Sequence, residues 1–592
     1  MATLQPAAVA LDGGDPRLSN AGEGIVEYSR AALASLHNPN VMIEEYFHYA
    51  KITREAENDI PIAPMPFKKV LGFGKKEVVD VKGHVISENM PLTEGPGHTV
   101  NEKGAMDKSN TSSPAAITDE EWLTASRAAR TATWAAVFYL ITTDILGPFS
   151  VPWAFSQMGY GPGVILYTVF GALAGYTGWQ IWQMFLSMDS DKYPLKTYGD
   201  IAFRIYGTFA RHIINVLQSI QLLFNVGVIV IGNGNGLYQV NSNICYVVCC
   251  VIWCVCGMFL GQIRTLQKFG WIANFAIWLN VTVIIITLAS VANMAPNYQA
   301  AAAQNGVAVG PPAPPVKTTG GSPDGVAFSG QVVGLMQAVY SYGGAMLFCE
   351  FMSEMRKPWD FWKALVVADG FIFIAYLFFG LFVYSFQGQY TVNPANQGIS
   401  MQAVLTAGNI ISFISALIAA ALYGNIGIKV LYQNVFKELF GLPDLTTRTG
   451  KLLWIPLVPI YWGVAFVMAA AIPNFNSLSG LVAAVCIMQF TYTFPPLLYL
   501  GMLVSRDAVR TEQGEGYDST TGVTVRHDSG IKRWVRGFFA GSFLAKINKM
   551  WLVFFFLGAL ATCALGIYSS VEGLIAAFKD GRATAFSCVA PI

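Results

Sequence analysis

The chain has 592 residues, of which 54% are hydrophobic and only 12% are charged, and its mean hydropathy is +0.45. This composition lies outside the usual range for soluble domains and indicates that most of the chain is surrounded by lipid. The formal net charge of +1 gives no sign of the strongly basic surface that binds nucleic acid, so no nucleic acid is expected as a partner.

Residues 1–126 are polar, rich in Gly, Pro, Asp, Glu and Lys, and contain no apolar run long enough to cross a membrane. We expect a largely disordered tail with a short helix between Val41 and Glu57. The chain starts without the basic residues and apolar core of a cleavable signal peptide. Arg127 and Arg130, just before the first apolar run, predict that the tail is cytoplasmic. Its lysines make ubiquitination or trafficking machinery the expected partner.

Residues 127–578 contain about eleven apolar runs of the length that crosses a bilayer. These predicted spans are 134–158, 163–186, 213–231, 244–260, 271–291, 330–351, 364–386, 404–436, 452–470, 478–503 and 550–578. With a cytoplasmic amino terminus, the outer loops between the spans contain only Lys317 as a basic residue, which agrees with the positive-inside rule. An odd number of spans places residues 579–592 in an extracytoplasmic tail.

Two of these runs, the first and the sixth, are interrupted near their middle by helix-breaking residues. The interrupting residues are Gly147, Pro148, Ser150 and Pro152 in the first run and Ser341, Gly343 and Gly344 in the sixth. Non-helical backbone at membrane depth is tolerated only where protein or water receives its polar groups. Breaks in corresponding positions of two halves indicate the substrate site of an inverted-repeat transporter. For Gly343 and Gly344, close helix packing is the alternative role.

Four segments of the chain have recognisable patterns, of which the first two are ILGPFSVPWAFSQMGYGPG, from Ile145, and KTYGDIAFRIYG, from Lys196. They look like the first-span signature and the loop between the second and third spans of the amino acid/auxin permease family. FCEFMSEMRKPWDFWKAL, from Phe348, resembles its sixth-span exit, and QIRTLQKFGWIANFAIWLN, from Gln262, is similar to the fungal branch of neutral amino acid permeases. The resemblance implies an all-α membrane fold, the five-plus-five inverted repeat of LeuT-like transporters, and a free amino acid as substrate.

The two breaks provide chemistry for both ends of such a substrate. Helix N-termini at a break offer amide donors to a carboxylate, and C-termini offer carbonyl acceptors to an ammonium group. We expect the amides near Phe149, Ser150 and Val151 to bind the carboxylate, and the carbonyls near Asp144 and Ser341 to bind the ammonium. The substrate side chain is expected to lie against Tyr342, Ala345, Phe224 and Asn225; an interhelical hydrogen bond is the alternative role for Asn225.

Three acidic residues are candidates for proton coupling or for a gate: Asp144, Glu350 and Glu354. A charge at the depth of Asp144 is costly unless water, a cation or a partner receives it, so the carboxyl can exchange a proton as its surroundings change. The alternative is a fixed ionised Asp144 beside a donor or a sodium ion. For Glu350 and Glu354 the alternative is ion pairing with Arg356 or Lys357. No Arg or Lys lies deep in the first, third or sixth run, which favours neutral amino acids.

The nine cysteines lie in or beside apolar regions, and we expect them to pack as apolar residues rather than bind metal or form a disulfide framework. All six histidines lie outside the apolar runs or at their ends, so neither an embedded enzyme, a metal site nor a cofactor is expected. A proton-coupled symporter in the plasma membrane is the leading interpretation. An amino acid sensor without net transport and a vacuolar exporter are the alternatives.

Overall fold

The computed structural model describes residues 38–58, 78–79, 85–86, 130, 132–145, 147–263, 270–306, 313–437, 440–443, 445, 447–472, 474–581 and 584–590. The described chain is mainly helical. Its helices are α1 (Ile43–Asn58), α2 (Trp134–Ile145), α3 (Val151–Met158), α4 (Tyr160–Met188), α5 (Tyr198–Tyr206), α6 (Thr208–Val240), α7 (Tyr246–Gly261), α8 (Gly270–Asn293), α9 (Tyr298–Asn305), α10 (Phe328–Ser341), α11 (Phe348–Ser353), α12 (Phe361–Gln387), α13 (Gln402–Val430), α14 (Arg448–Ala471), α15 (Phe475–Val482), α16 (Phe494–Asp507), α17 (Gly530–Phe539) and α18 (Phe543–Lys579).

Tighter and wider turns join several of these helices. The 3₁₀ turns are Pro148–Ser150, Ala345–Leu347, Pro358–Asp360, Gly388–Tyr390, Ala395–Gly398 and Thr511–Gln513, and the π-helical segments are Leu431–Lys437, Ala483–Ile487 and Gln489–Thr493. Two small antiparallel strand pairs complete the described chain: β1 (Val78–Val79) with β2 (Val85–Ile86), and β3 (Gly516–Asp518) with β4 (Val523–Val525).

Within the described residues, eight helical segments are long and apolar enough to cross a membrane. They are Tyr160–Met188, Thr208–Val240, Phe328–Ser353, Pro358–Tyr390, Gln402–Lys437, Arg448–Ala471, Phe475–Asp507 and Phe543–Lys579. Trp278–Asn293 and Tyr298–Asn305, bent by 107° to each other, form a ninth if they are taken together, and Tyr246–Gly261 is apolar but shorter. A helical membrane protein is thereby confirmed, while the number of about eleven spans stays a prediction.

The long helices connect two ends of a bundle, which we name by one residue each. The Asp189 end carries Asp189, directly after α4, and the Cys588 end carries Cys588, in the segment after α18. Cys588 forms a disulfide with Cys245, which precedes α7. The prediction that all cysteines only pack was therefore wrong for this pair, which lies 343 residues apart in sequence and gave no local spacing signal.

The two interrupted runs are broken helices, as predicted. α2 packs against α12, whereas α3 packs against both α10 and α12. At the Asp189 end, Ala132 donates its N–H to the carbonyl of Glu354 and accepts from the N–H of Arg356, each over 3.0 Å. The start of the first broken helix is thus joined by backbone hydrogen bonds to the end of the second.

The short helix expected between Val41 and Glu57 is present as α1, and it lies on the bundle at the Asp189 end, against α4 and β3. Most of the remaining tail, including its candidate lysines for modification, lies outside the described residues. The disorder and cytoplasmic location of that part stay predictions, as does the extracytoplasmic location of residues 579–592.

Candidate functional site

The first break is formed by the segment between α2 and α3. α2 ends at Ile145, Gly147 is extended with φ of −148°, and a 3₁₀ turn over Pro148–Ser150 leads into α3. Val151 donates its N–H to the carbonyl of Pro148. Because that amide is already used, the carboxylate of a ligand is left with the first-turn amides of Phe149 and Ser150, two of the three that we predicted.

Open space adjoins this break at Gly147. The residue is exposed, and a Cβ placed there meets no described atom within 4 Å. Phe149 is half-buried and presents its ring edge-on to Phe379 of α12, with centroids 5.8 Å apart, while Ser150 and Val151 are buried. The backbone of Gly147 is therefore the part of the first break that a ligand could approach.

The second break follows α10. This helix ends at Ser341, residues 342–344 are not helical, and the 3₁₀ turn Ala345–Leu347 leads into α11. Tyr342 and Ala345 are buried. A side chain at Gly343 would collide with Ile487 of the π-helical segment after α15. This contact favours the packing role for Gly343, whereas Gly344 stays a candidate for the site.

One tyrosine that the sequence analysis did not single out joins the two breaks. Tyr376 of α12 is fully buried; its hydroxyl accepts a hydrogen bond from the N–H of Gly147 over 3.3 Å and donates one to the carbonyl of Ser341 over 2.9 Å. The Ser341 carbonyl keeps one free lone pair for an ammonium group. The available signal was a hydroxyl within the apolar run from Phe371 to Phe379.

Two predicted residues have buried polar atoms that accept or donate no hydrogen bond among the described residues. These atoms are the hydroxyl of Tyr342 and the Oδ1 of Asn225. The Tyr342 ring lies 5.4 Å from that of Tyr376 and 6.1 Å from that of Tyr167, centroid to centroid. A buried polar group without a partner costs free energy, so both atoms are suited to bind a polar ligand.

The three predicted acidic residues occupy different places. Asp144 is in the last turn of α2, and its side chain lies outside the described part of the chain. Glu350 in α11 is buried, and its Oε1 accepts a hydrogen bond from Gln218 of α6 over 3.3 Å. Glu354 follows α11 at the Asp189 end. Burial raises its pKa to about 8, although Lys196 and Arg130 oppose the rise. The structure thus gives Glu350 an amide partner and places Glu354 near cations other than Arg356 and Lys357.

A fourth acidic residue, Asp369 of α12, was missed. It lies two helical turns before Tyr376 and therefore on the same side of the helix. Its carboxylate packs against α4, where Oδ2 lies 2.7 Å from the position of a Cβ on Gly175. Only glycine leaves room for this approach. A single Asp inside an apolar run was the signal that could have identified it.

Comparisons with known proteins identify the family of the chain. The chain is 24% identical over 380 residues to a "Transmembrane transporter" of Gibberella moniliformis, covering 63% of this chain and 76% of that protein. It is 24% identical over 398 residues to the "N amino acid transport system protein" of Neurospora crassa, covering 64% and 77%.

Among solved structures, MhsT in complex with L-phenylalanine aligns with a TM-score of 0.40 and 13% identity, over 72% of this chain and 99% of that one. A similarity of this size does not define the fold, so the five-plus-five inverted repeat stays a prediction. Residues 130–511 match the family model described as "Transmembrane amino acid transporter protein". Because this match spans more than half of the chain, the protein is a multi-pass membrane protein that belongs to the transmembrane amino acid transporter family.

Proposed function

We propose that the protein is a secondary active transporter of neutral amino acids that couples uptake to protons and works by alternating access. The single observation that carries the proposal is the contact of both breaks through Tyr376, with open space beside Gly147. A zwitterion placed there would find amide donors at Phe149 and Ser150 and a carbonyl acceptor at Ser341 within one site. Membership in a transporter family also implies a transport role rather than an enzymatic one.

The preference for neutral substrates rests on the charges that line the breaks. Among the described residues of α2, α3, α6, α10 and α11, the only Arg or Lys is Arg211, in the first turn of α6. An acidic substrate side chain would therefore lack a buried counter-ion, which costs several kcal/mol in a desolvated pocket. Tyr342, Ala345 and the α6 region around Phe224 offer apolar surface to an aliphatic or aromatic side chain.

Alternating access is supported by the way the broken helices are held. The start of α2 is tied to Glu354 and Arg356 by backbone hydrogen bonds at the Asp189 end, whereas Gly147 lies beside open space. A short half-helix that ends at a non-helical hinge can rotate while the backbone hydrogen bonds inside the neighbouring helices stay intact. Protons are the proposed coupling ion, and sodium is the alternative; Asp144, Glu350, Glu354 and Asp369 are the candidate carriers.

The proposed orientation places the Asp189 end in the cytoplasm. The disulfide between Cys245 and Cys588 supports an oxidising compartment at the opposite end. Basic residues concentrate at the Asp189 end, as the positive-inside rule requires of a cytoplasmic face. They include Arg54, Arg130, Lys192, Lys196, Arg204, Arg211, Arg506, Arg510, Arg526 and Arg533. We assign the protein to the plasma membrane; the alternative is a vacuolar exporter. Fluorescence microscopy of a tagged chain distinguishes the two locations.

Competition for uptake tests the substrate class. In cells expressing the protein, uptake of labelled leucine should be inhibited by neutral aliphatic and aromatic amino acids and about a hundredfold more weakly by glutamate, because its unpaired buried charge costs several kcal/mol. Best competition by arginine or glutamate would contradict the proposed site. Specific leucine binding without any flux would favour a sensor instead.

A further inference from the structure

Helix α1 has the pattern of a helix that docks on another surface. Ile43, Tyr46, Phe47 and Ala50 follow the spacing of one helical face, and Ile43, Tyr46 and Ala50 are almost fully buried. Tyr46 lies beneath the guanidinium of Arg204, which is 4.6 Å from its ring centroid. The opposite side of α1, which includes Glu55, is exposed. α1 therefore has a defined binding face although it precedes the membrane bundle in sequence.

Two acidic residues in the first turn of α1 bind two separate parts of the bundle. The carboxylate of Glu44 is almost fully buried and pairs with Arg526 and with Arg533, the latter over 2.8 Å. The carboxylate of Glu45 accepts from Lys192 over 3.2 Å and from the hydroxyl of Tyr193 over 2.7 Å. α1 thereby connects the loop after α4 with the segment between α16 and α18.

That second segment is itself held rigidly in place. Glu515, before β3, accepts hydrogen bonds from the backbone N–H groups of Arg510 and His527 and pairs with Arg533 and Arg536. Although its burial alone would raise the pKa, these partners lower the pKa of Glu515 to about 2. Arg533 is thus held by Glu515 through contacts that do not involve α1, and is presented to Glu44.

The far end of α1 reaches the residue that holds the first broken helix. Asp189 is fully buried and pairs with Arg54 of α1 over 2.8 Å. The same carboxylate forms two 3.0 Å hydrogen bonds with Arg130, which lies just before α2. Burial alone would raise the pKa of Asp189, but Arg130 and Arg54 hold it below its ordinary value. α1 and the start of α2 therefore share one anion.

We propose that α1 is a latch: it docks on the surface formed by Asp189, Lys192, Tyr193, Arg526 and Arg533, and it holds the Asp189 end of the bundle closed. While α1 is docked, it bridges the α4 loop to the α16–α18 segment, and its Arg54 adds a second ion pair to Asp189, which anchors α2. When α1 leaves, the start of α2 loses this bracing and can move away from α4. Through α1, the amino-terminal tail regulates access to the site, an inference that rests on the proposed function.

The test compares a release variant with a charge-reversal control in the full-length protein. Glu44→Lys with Glu45→Lys reverses both docking charges, whereas Glu55→Lys reverses one charge on the exposed side of α1. The readouts are leucine uptake in proteoliposomes and labelling of the buried Cys349 of α11 by a membrane-impermeant maleimide, located by peptide mass spectrometry. The release variant should raise Cys349 labelling about tenfold, equivalent to about 1.4 kcal/mol, and speed uptake; Glu55→Lys should do neither.

A charge swap protects the test against simple misfolding. Adding Lys192→Glu to the release variant restores the ion pair between positions 45 and 192 with its charges exchanged, and should bring labelling part of the way back towards wild type. Labelling of the release variant within about twofold of wild type, or equal effects of Glu55→Lys, would overturn the latch. If no variant moves any amino acid while labelling still rises in the release variant, the proposed function fails and the latch stands.

Discussion

The hydroxyl of Tyr376 donates a hydrogen bond to the carbonyl of Ser341 over 2.9 Å, and the same oxygen receives the N–H of Gly147. Helix α12 therefore contacts both broken helices through one oxygen atom. If substrate binding moves either break, this atom must exchange partners or move with it. The hydroxyl is thus placed to connect the two halves of the site.

Removing this hydroxyl tests the connection. Tyr376→Phe removes the two hydrogen bonds that connect the Gly147 N–H and the Ser341 carbonyl, a loss of about 1–3 kcal/mol. We expect apparent affinity for leucine to fall about tenfold or more, with a normal elution profile in size-exclusion chromatography. Tyr568→Phe, an exposed tyrosine of α18, is the matched control and should bind as wild type does. Equal affinity of both variants would show that the Tyr376 bridge is not part of the site.

Gly147 offers a test of the open space at the first break. A Cβ there meets no described atom and its φ of −148° suits any residue, so Gly147→Val should fold normally while occupying room needed by substrate. Uptake should fall at least about tenfold. Gly370→Val, on the exposed side of α12 where a Cβ is equally free, is the control. Gly343→Leu is a poorer test, because it would displace Ile487.

The coupling ion and its carrier are tested by paired substitutions at Asp144 and Asp369. If one of these two residues carries the proton, its Asn variant should still exchange bound substrate. It should lose accumulation driven by a pH gradient alone, because Asn cannot take up a proton. The other Asn variant should accumulate substrate normally. Uptake driven by an imposed pH gradient in proteoliposomes, with and without sodium, gives the comparison. If both variants accumulate substrate, neither residue is the carrier, and a sodium requirement would replace protons as the coupling ion.

The raised pKa of Glu354 predicts that the stability of the folded protein depends on pH. Its pKa is raised from 4.5 to about 8, so the folded arrangement binds a proton that the hydrated carboxyl has already lost in this window. The contribution of Glu354 to the stability of the folded protein is therefore full below about pH 4.5 and is lost as the pH rises towards about 8. Thermal unfolding of detergent-solubilised protein should show this decline for wild type and a smaller one for Glu354→Gln. Identical pH profiles of the two proteins would show that Glu354 does not cause this decline in stability.

The breaks at Gly147 and Gly343 could be predicted because Gly and Pro change local backbone preference whatever surrounds them. Tyr376, Asp369 and the latch could not, because their roles depend on which helices meet. Asp369 needs Gly175 from another helix, and Glu44 needs Arg526, which lies 482 residues away. The disulfide of Cys245 has the same origin. Local chemistry predicted where the helices break, and long-range packing decided what each break contacts.

Counterflow in proteoliposomes containing purified protein tests the central claim most directly. Vesicles loaded with unlabelled leucine and diluted into labelled leucine should show a transient internal excess of label, because a carrier that alternates its access exchanges substrate across the membrane. Tyr376→Phe vesicles should show a smaller and slower peak. Binding of labelled leucine without any such overshoot, with the same result for the other neutral amino acids, would contradict transport. It would identify the protein as a sensor.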